Sequence, residues 1–179
     1  SALEKKDEKL IIAFLKRLPK IRSFPIKINK VKGHLIHWAT ANDLCSLVKY
    51  LLSIDHELID SRLDKTFETP LHIAAKHGKL QAYNLLLDQR VNPASITRHK
   101  QSVLMLVLMY QPHKLASVMF QFWLDKSLPI AYAHKDRFEK TLFDYALGEH
   151  VRVLEKILPN YIESLRSDPK RLQKCFMYC

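Results

Sequence analysis

Thr69-Pro70-Leu71-His72-Ile73-Ala74-Ala75-Lys76-His77-Gly78, followed by Lys79-Leu80-Gln81-Ala82-Tyr83-Asn84-Leu85-Leu86-Leu87, is the stretch that decides how this chain folds. Thr69 is a natural helix cap, and Pro70 stands at the first helical position, where its missing N–H costs nothing. Leu71 points into a core, and Ala74 and Ala75 are small enough for a second helix to approach closely. Gly78 ends the helix in the left-handed conformation that only Gly adopts cheaply. Leu80, Leu85 and Leu86 then recur at helical spacing, which predicts a second helix with one buried face.

Weaker copies of the same template recur along the chain. His34-Leu35-Ile36-His37-Trp38-Ala39-Thr40 precedes Leu44, Leu47, Val48, Leu51 and Leu52. Ser102 to Leu108 forms a third copy, and Thr141 to Leu147, followed by Val151, Leu154, Ile157 and Leu158, a fourth. Between copies three and four the chain is longer, and the extra residues are expected as a loop within 121–135, around Pro129. Asp64 and Asp136 precede two of the helix starts, where a carboxylate can hold the turn backbone.

This pattern resembles the ankyrin repeat, whose signature Thr-Pro-Leu-His-x-Ala-Ala, Gly and terminal Leu-Leu is matched by residues 69–87. The resemblance implies an all-α solenoid of stacked helix-turn-helix repeats with β-turn or hairpin tips and helical caps at both ends. Residues 1–32 are expected to form a basic capping helix and linker, 33–160 about four repeats, and 161–179 a C-terminal helical cap or the start of a further segment. Leu10, Ile11, Phe14, Leu15 and Leu18 make the apolar stripe of the first cap, stopped by Pro19. Ser167-Asp168-Pro169 reads as the start of the last helix, with Phe176, Met177 and Tyr178 beyond it. In the family His72 is structural, bonding backbone between repeats, and His37 holds the same place one repeat earlier.

Composition narrows the function. The 179 residues contain Gly only at 33, 78 and 148, where ordinary usage would give roughly a dozen. No Gly-rich phosphate loop or nucleophile elbow can be written. His34 and His37, or His72 and His77, lack the spacing that sets two ligands on one helical face, so no metal or cofactor is expected. Cys45, Cys175 and Cys179 have no Cys-x-x-Cys spacing, which points to a reducing compartment, the cytoplasm. Cys45 matches Leu80 and is expected as a small buried hydrophobe. Asp55, Glu57, Asp60 and Asp64 lie on a connection and form no catalytic pair. The expectation is a non-enzyme.

Charge points to partners. The net charge is +11, and residues 1–32 hold ten Lys or Arg against three acids. Lys16, Arg17, Lys20, Arg22, Lys27, Lys30 and Lys32 cluster there, a solvated face or a docking patch for acidic protein or anionic membrane. Only Phe24 interleaves, which argues against nucleic acid. Ankyrin proteins commonly bind partners through turn tips and the exposed face of the first helices. That register selects Lys30; Lys65, Glu68, Lys76 and His77; Arg98, His99, Gln101, Met109 and Tyr110; and Arg137, Phe138 and Lys140. The mixture suits an acidic protein surface with an apolar anchor.

The expected role is therefore a monomeric protein-interaction module. Its alternatives are the targeting arm of a larger enzyme, which the Ser-Ala start and apolar end permit, or a module for anionic membranes. The Lys- and His-rich degenerate repeats are also similar in style to those of effector proteins that intracellular bacteria deliver into the host cytosol.

Overall fold

The computed structural model describes residues 2–17, 26–28, 31–147 and 150–166. Helix α1 (Ala2–Arg17) comes first, then an antiparallel hairpin of β1 (Ile26–Ile28) and β2 (Val31–Gly33), pairing Ile26 with Gly33 and Ile28 with Val31. Four helix pairs follow: α2 (Leu35–Ala41) with α3 (Cys45–Ile54), and α4 (Pro70–Lys76) with α5 (Leu80–Asp88). The last two are α6 (Val103–Tyr110) with α7 (His113–Asp125), and α8 (Leu142–Ala146) with α9 (Val151–Arg166). Among the described residues no helix is long and apolar enough to cross a membrane.

The stack has two layers. Helices α2, α4, α6 and α8 pack in file as one layer, and α1, α3, α5, α7 and α9 as the other. Between them lies a continuous core that includes Ile36, Leu47, Leu51, Leu71, Tyr83, Leu86, Met105, Phe120, Trp123 and Leu142. In α5 the buried residues are Ala82, Tyr83, Leu86 and Leu87, while Leu80 and Leu85 are half-buried at the edge.

Three of the four first-layer helices begin the same way. The Thr69 N–H reaches His72 Nδ1 at 3.3 Å, closing a capping box with Pro70 at the first helical position. His34 and His37 repeat this at 3.1 Å, and Thr141 and Asp144 at 2.6 Å. Imidazole and carboxylate are chemically different, yet both supply the one acceptor that the cap amide needs. Met105 cannot, and there Ser102 Oγ alone accepts the Met105 N–H at 3.3 Å.

Repeats are tied to one another by side chains reaching backbone. Gly78, at φ +63°, ends α4, and a β-carbon there would lie 2.5 Å from Gln111 Oε1 and 2.9 Å from Leu115 Cδ2. Gln111 comes this close because its Nε2 donates to the Ala75 and Lys76 carbonyls, both at 2.8 Å. Both carbonyls belong to the last turn of α4, where intrahelical donors run out and the Gly78 N–H reaches the Ala75 carbonyl only at 3.4 Å. Asp43 Oδ1 likewise accepts the Ala82 N–H, at the third residue of α5, at 2.9 Å.

Several sequence expectations need correction. The core-facing stripe of α1 is Glu8, Ile11, Ile12 and Leu15, at helical spacing, whereas Leu10 and Phe14 are 62% and 58% exposed. The rotation is set by buried Glu8, whose Oε1 accepts the Leu47 N–H in α3 at 2.7 Å. The extra length between copies three and four is not all loop, since 121–125 continue α7, which has 13 residues against 9 in α5. The boundary drawn at 160/161 falls inside α9, and that at 32/33 inside β2. Cys45 is half-buried, not enclosed; burial, with Asp43 and Glu8 nearby, pushes its thiol up to about 11. Leu18, the 167–169 cap and residues 176–178 lie outside the described residues.

Candidate protein-interaction surface

The turn tips are built alike. In copy four, Asp136 Oδ1 accepts the Phe138 and Lys140 amides at 2.8 and 3.0 Å. Burial works against its charge, but hydrogen bonds from Tyr145 and from those two amides outweigh it and hold the carboxyl below its usual range. In copy three Thr97 Oγ1 accepts the Gln101 amide at 3.2 Å. Asp64 differs from expectation: its Oδ1 accepts the Lys32 amide at 3.1 Å, one repeat away. Each tip then passes through the left-handed region at one register position, Phe67, Lys100 and Glu139, with φ of 57°, 58° and 59°.

Adjacent tips are hydrogen-bonded through their backbones. Asp64 N–H donates to the Lys32 carbonyl at 3.1 Å, Arg98 N–H to the Thr66 carbonyl at 2.8 Å, and Arg137 N–H to the His99 carbonyl at 2.8 Å. Lys65, Arg98 and Arg137 each stand four residues before the cap of their first-layer helix, and all three are exposed; in the bonding between tips it is Asp64, next to Lys65, that holds the place of Arg98 and Arg137. Arg98 Nη1 also reaches the Lys65 carbonyl at 3.4 Å. Beside them His99 stacks on Phe138, ring centres 6.3 Å apart, and Lys140 lies 5.5 Å over the Tyr145 ring. Phe138 is 62% exposed.

The first-layer helices supply a second strip. Lys76 Nζ sits 2.8 Å from Glu68 Oε1 and 5.7 Å over the Tyr110 ring. Glu68, expected as a contact residue, is buried, and its other oxygen accepts the Thr66 hydroxyl at 3.0 Å. Gln101 is buried as well, its Nε2 donating to Met109 Sδ at 3.3 Å. Both side chains fold back onto their own repeat, because at a buried position a polar group without a partner is costly. Met109, Tyr110 and His77 are exposed. Glu68, Lys76 and His77 also line a cleft of about 530 Å³ against His37, Trp38 and Asn42 of the preceding repeat.

Phe67 and Lys100, both exposed on the tips, escaped the sequence reading. The signal was available: they fill the turn position where a left-handed residue, ordinarily Gly, is needed. Of the basic N-terminal cluster, Lys16, Arg17 and Lys32 are exposed. Lys20, Arg22 and Lys30 lie outside the described residues, as does the side chain of Lys27 in β1.

Several other titratable groups bond the backbone. His37 Nε2 pairs with the Ser61 carbonyl at 3.1 Å, as the inter-repeat role predicts. Burial pushes both His37 and His72 down to about 4. Asp55 Oδ1 accepts the Glu57 amide and Asp60 Oδ1 the Asn92 amide. Among the described residues no group of three or more His, Cys, Asp or Glu side chains is placed to hold a metal ion.

The family described as Ankyrin repeats (three copies) matches residues 35–128, more than half of the chain. A protein of Arabidopsis thaliana named as the E3 ubiquitin-protein ligase XBAT31 is 32% identical over 63 residues, 35% of this chain and 14% of that protein. The palmitoyltransferase AKR1 of Lachancea kluyveri is 33% identical over 67 residues, 37% of this chain and 9% of that protein. The matched part therefore spans a small fraction of either relative, and the likeness is one of repeats. With the signature at 69–78, the layered helix pairs and the family match in agreement, the chain belongs to the ankyrin-repeat family, whose repeats are generally protein-protein interaction modules.

Proposed function

We propose that this domain binds an acidic protein along its turn tips, without catalysing a reaction itself. The observation that carries the reading is the row Lys65, Arg98 and Arg137, one exposed cation per tip, on tips whose backbones are bonded to each other. The acids of these tips are largely spent internally. Asp136 and Glu68 are buried, Asp64 binds the Lys32 amide, and Glu139 pairs with Lys135 at 3.3 Å. A row held at fixed backbone spacing loses little backbone freedom on docking, so only side-chain ordering opposes its charge attraction. Exposed Phe138, stacked on His99, supplies the apolar anchor. Three cysteines without metal or disulfide spacing support a reducing, cytoplasmic setting.

Affinity capture with the domain, against a Lys65→Glu, Arg98→Glu, Arg137→Glu variant, tests this. The variant should lose partners that the parent retains at moderate salt, with an unchanged circular dichroism spectrum. Equal recovery by both would contradict the proposal.

A second reading is favoured by the two relatives, each named as an enzyme and matched over a small part of its length. In it the repeats are the targeting arm of a larger enzyme. Reading the gene beyond both ends decides it: a catalytic domain in the same frame supports this reading, and stop codons at both ends remove it.

A further inference from the structure

The extra residues between copies three and four build a cavity on the structure. Ile130 and His134 from this connection, Trp123 of α7, Leu104 of α6 and Leu142 of α8 enclose a half-open space of about 350 Å³, together with Ser102. The walls are held in place. Trp123 Nε1 donates to the Pro129 carbonyl at 3.3 Å, Tyr132 OH to the Ile157 carbonyl at 3.4 Å, and His134 Nε2 to the Lys100 carbonyl at 2.6 Å. A fixed, mostly apolar cleft with a few polar groups in its lining is how small-molecule sites are made.

We propose that this cavity binds a small phenol: one aromatic ring carrying one hydroxyl. Size admits an aromatic ring, since an apolar cavity of about 150 Å³ already accepts benzene, and the space of about 350 Å³ here leaves room for substituents. The flat Trp123 indole favours an aromatic partner. The two polar groups set the head. His134 Nε2 must donate, because its partner is a carbonyl, and the neutral ring therefore leaves Nδ1 as an acceptor. Ser102 Oγ accepts the Met105 amide, which leaves its O–H to donate. One acceptor and one donor match a group that both donates and accepts, as a hydroxyl does. Among the described residues no Asp, Glu, Lys or Arg lines the space, so a charged head finds no counter-ion among them. None of Lys65, Arg98 and Arg137 lines the space, so the proposal does not depend on their proposed role.

Isothermal titration and saturation-transfer NMR of the full chain with p-cresol and with toluene test the proposal. Saturable p-cresol binding, about tenfold tighter than toluene, is expected from two added hydrogen bonds. His134→Phe should bring p-cresol down to the toluene level. Ala94→Trp, at an exposed lining residue, should weaken both ligands at least tenfold at an unchanged melting temperature. Absence of saturable p-cresol binding, equal affinity for the two ligands, or indifference to Ala94→Trp would each overturn it.

Discussion

Glu8 Oε1 accepts the Leu47 backbone N–H at 2.7 Å, and the two residues stand 39 apart in sequence, the same separation as Asp43 and the Ala82 amide it binds. Both acceptors serve the third residue of a second-layer helix, whose amide has no partner inside its own helix. Helix α1 thus does for α3 what the first repeat does for α5 of the second. The first cap is a half-repeat in its bonding as well as in its packing.

Removing that contact should be felt through the stack. Glu8→Ala is expected to lower stability by about 1–2 kcal/mol, the cost of a lost cap with a buried amide left open. Glu8→Gln, which keeps an acceptor oxygen, should recover most of it. Urea denaturation followed by circular dichroism measures both.

Gly78 and Gln111 are predicted to be coupled. Gly78→Ala adds a methyl group 2.5 Å from Gln111 Oε1 at a φ of +63°, and should cost about 2 kcal/mol from strain and crowding together. In a Gln111→Ala background the crowding from Gln111 is gone while the backbone strain and the Leu115 contact remain. The same change should then cost about 1 kcal/mol, the difference appearing in a double-mutant cycle.

Stability should fall with acid before the carboxylates titrate. Burial holds His37 and His72 near 4, below the ordinary 6.5. Between those values the unfolded chain takes up protons that the native state refuses. Their neutral contribution is complete above pH 6.5 and is lost as pH falls from there towards 4, at about 1.4 kcal/mol per pH unit for each histidine. His72→Gln should remove about half of this slope in urea midpoints measured from pH 7 to pH 4.5. Asp136 and Asp144, both held below their usual range, add a further loss in a lower window, as pH falls below the ordinary carboxylate value.

The turn tips carry strain that glycine would relieve. Phe67, Lys100 and Glu139 occupy the left-handed region, which costs a non-glycine residue about 1–2 kcal/mol. After allowing for the extra entropy of Gly in the unfolded chain, Phe67→Gly and Lys100→Gly should each raise stability by up to about 1 kcal/mol. If the tips are the docking surface, Phe67→Gly should do so while weakening partner capture.

Much of this fold is written in residues 69–87, where cap, proline, small pair, glycine and leucines each have a local mechanical reason. The same register located the other copies, including the cap at Thr141, where Asp144 replaces the histidine. What stayed hidden depends on contacts across repeats. Glu8 looked like one more charge on a solvated helix until the Leu47 amide gave it a partner, and that partner rotated the apolar stripe away from Leu10 and Phe14. Glu68 and Gln101 occupy register positions that are often exposed, yet Lys76 and Met109 draw them inward. Phe67 and Lys100 were missed because scarcity of glycine disguises a glycine-type turn.

The central claim is that the tips are locked to one another, so that Lys65, Arg98 and Arg137 form one surface and not three separate loops. Hydrogen exchange of the Asp64, Arg98 and Arg137 amides, read residue by residue by NMR, addresses it directly. Cross-tip bonding predicts protection approaching that of core amides such as Leu86, even though these residues lie in exposed turns. Exchange of all three at unstructured-peptide rates would contradict it.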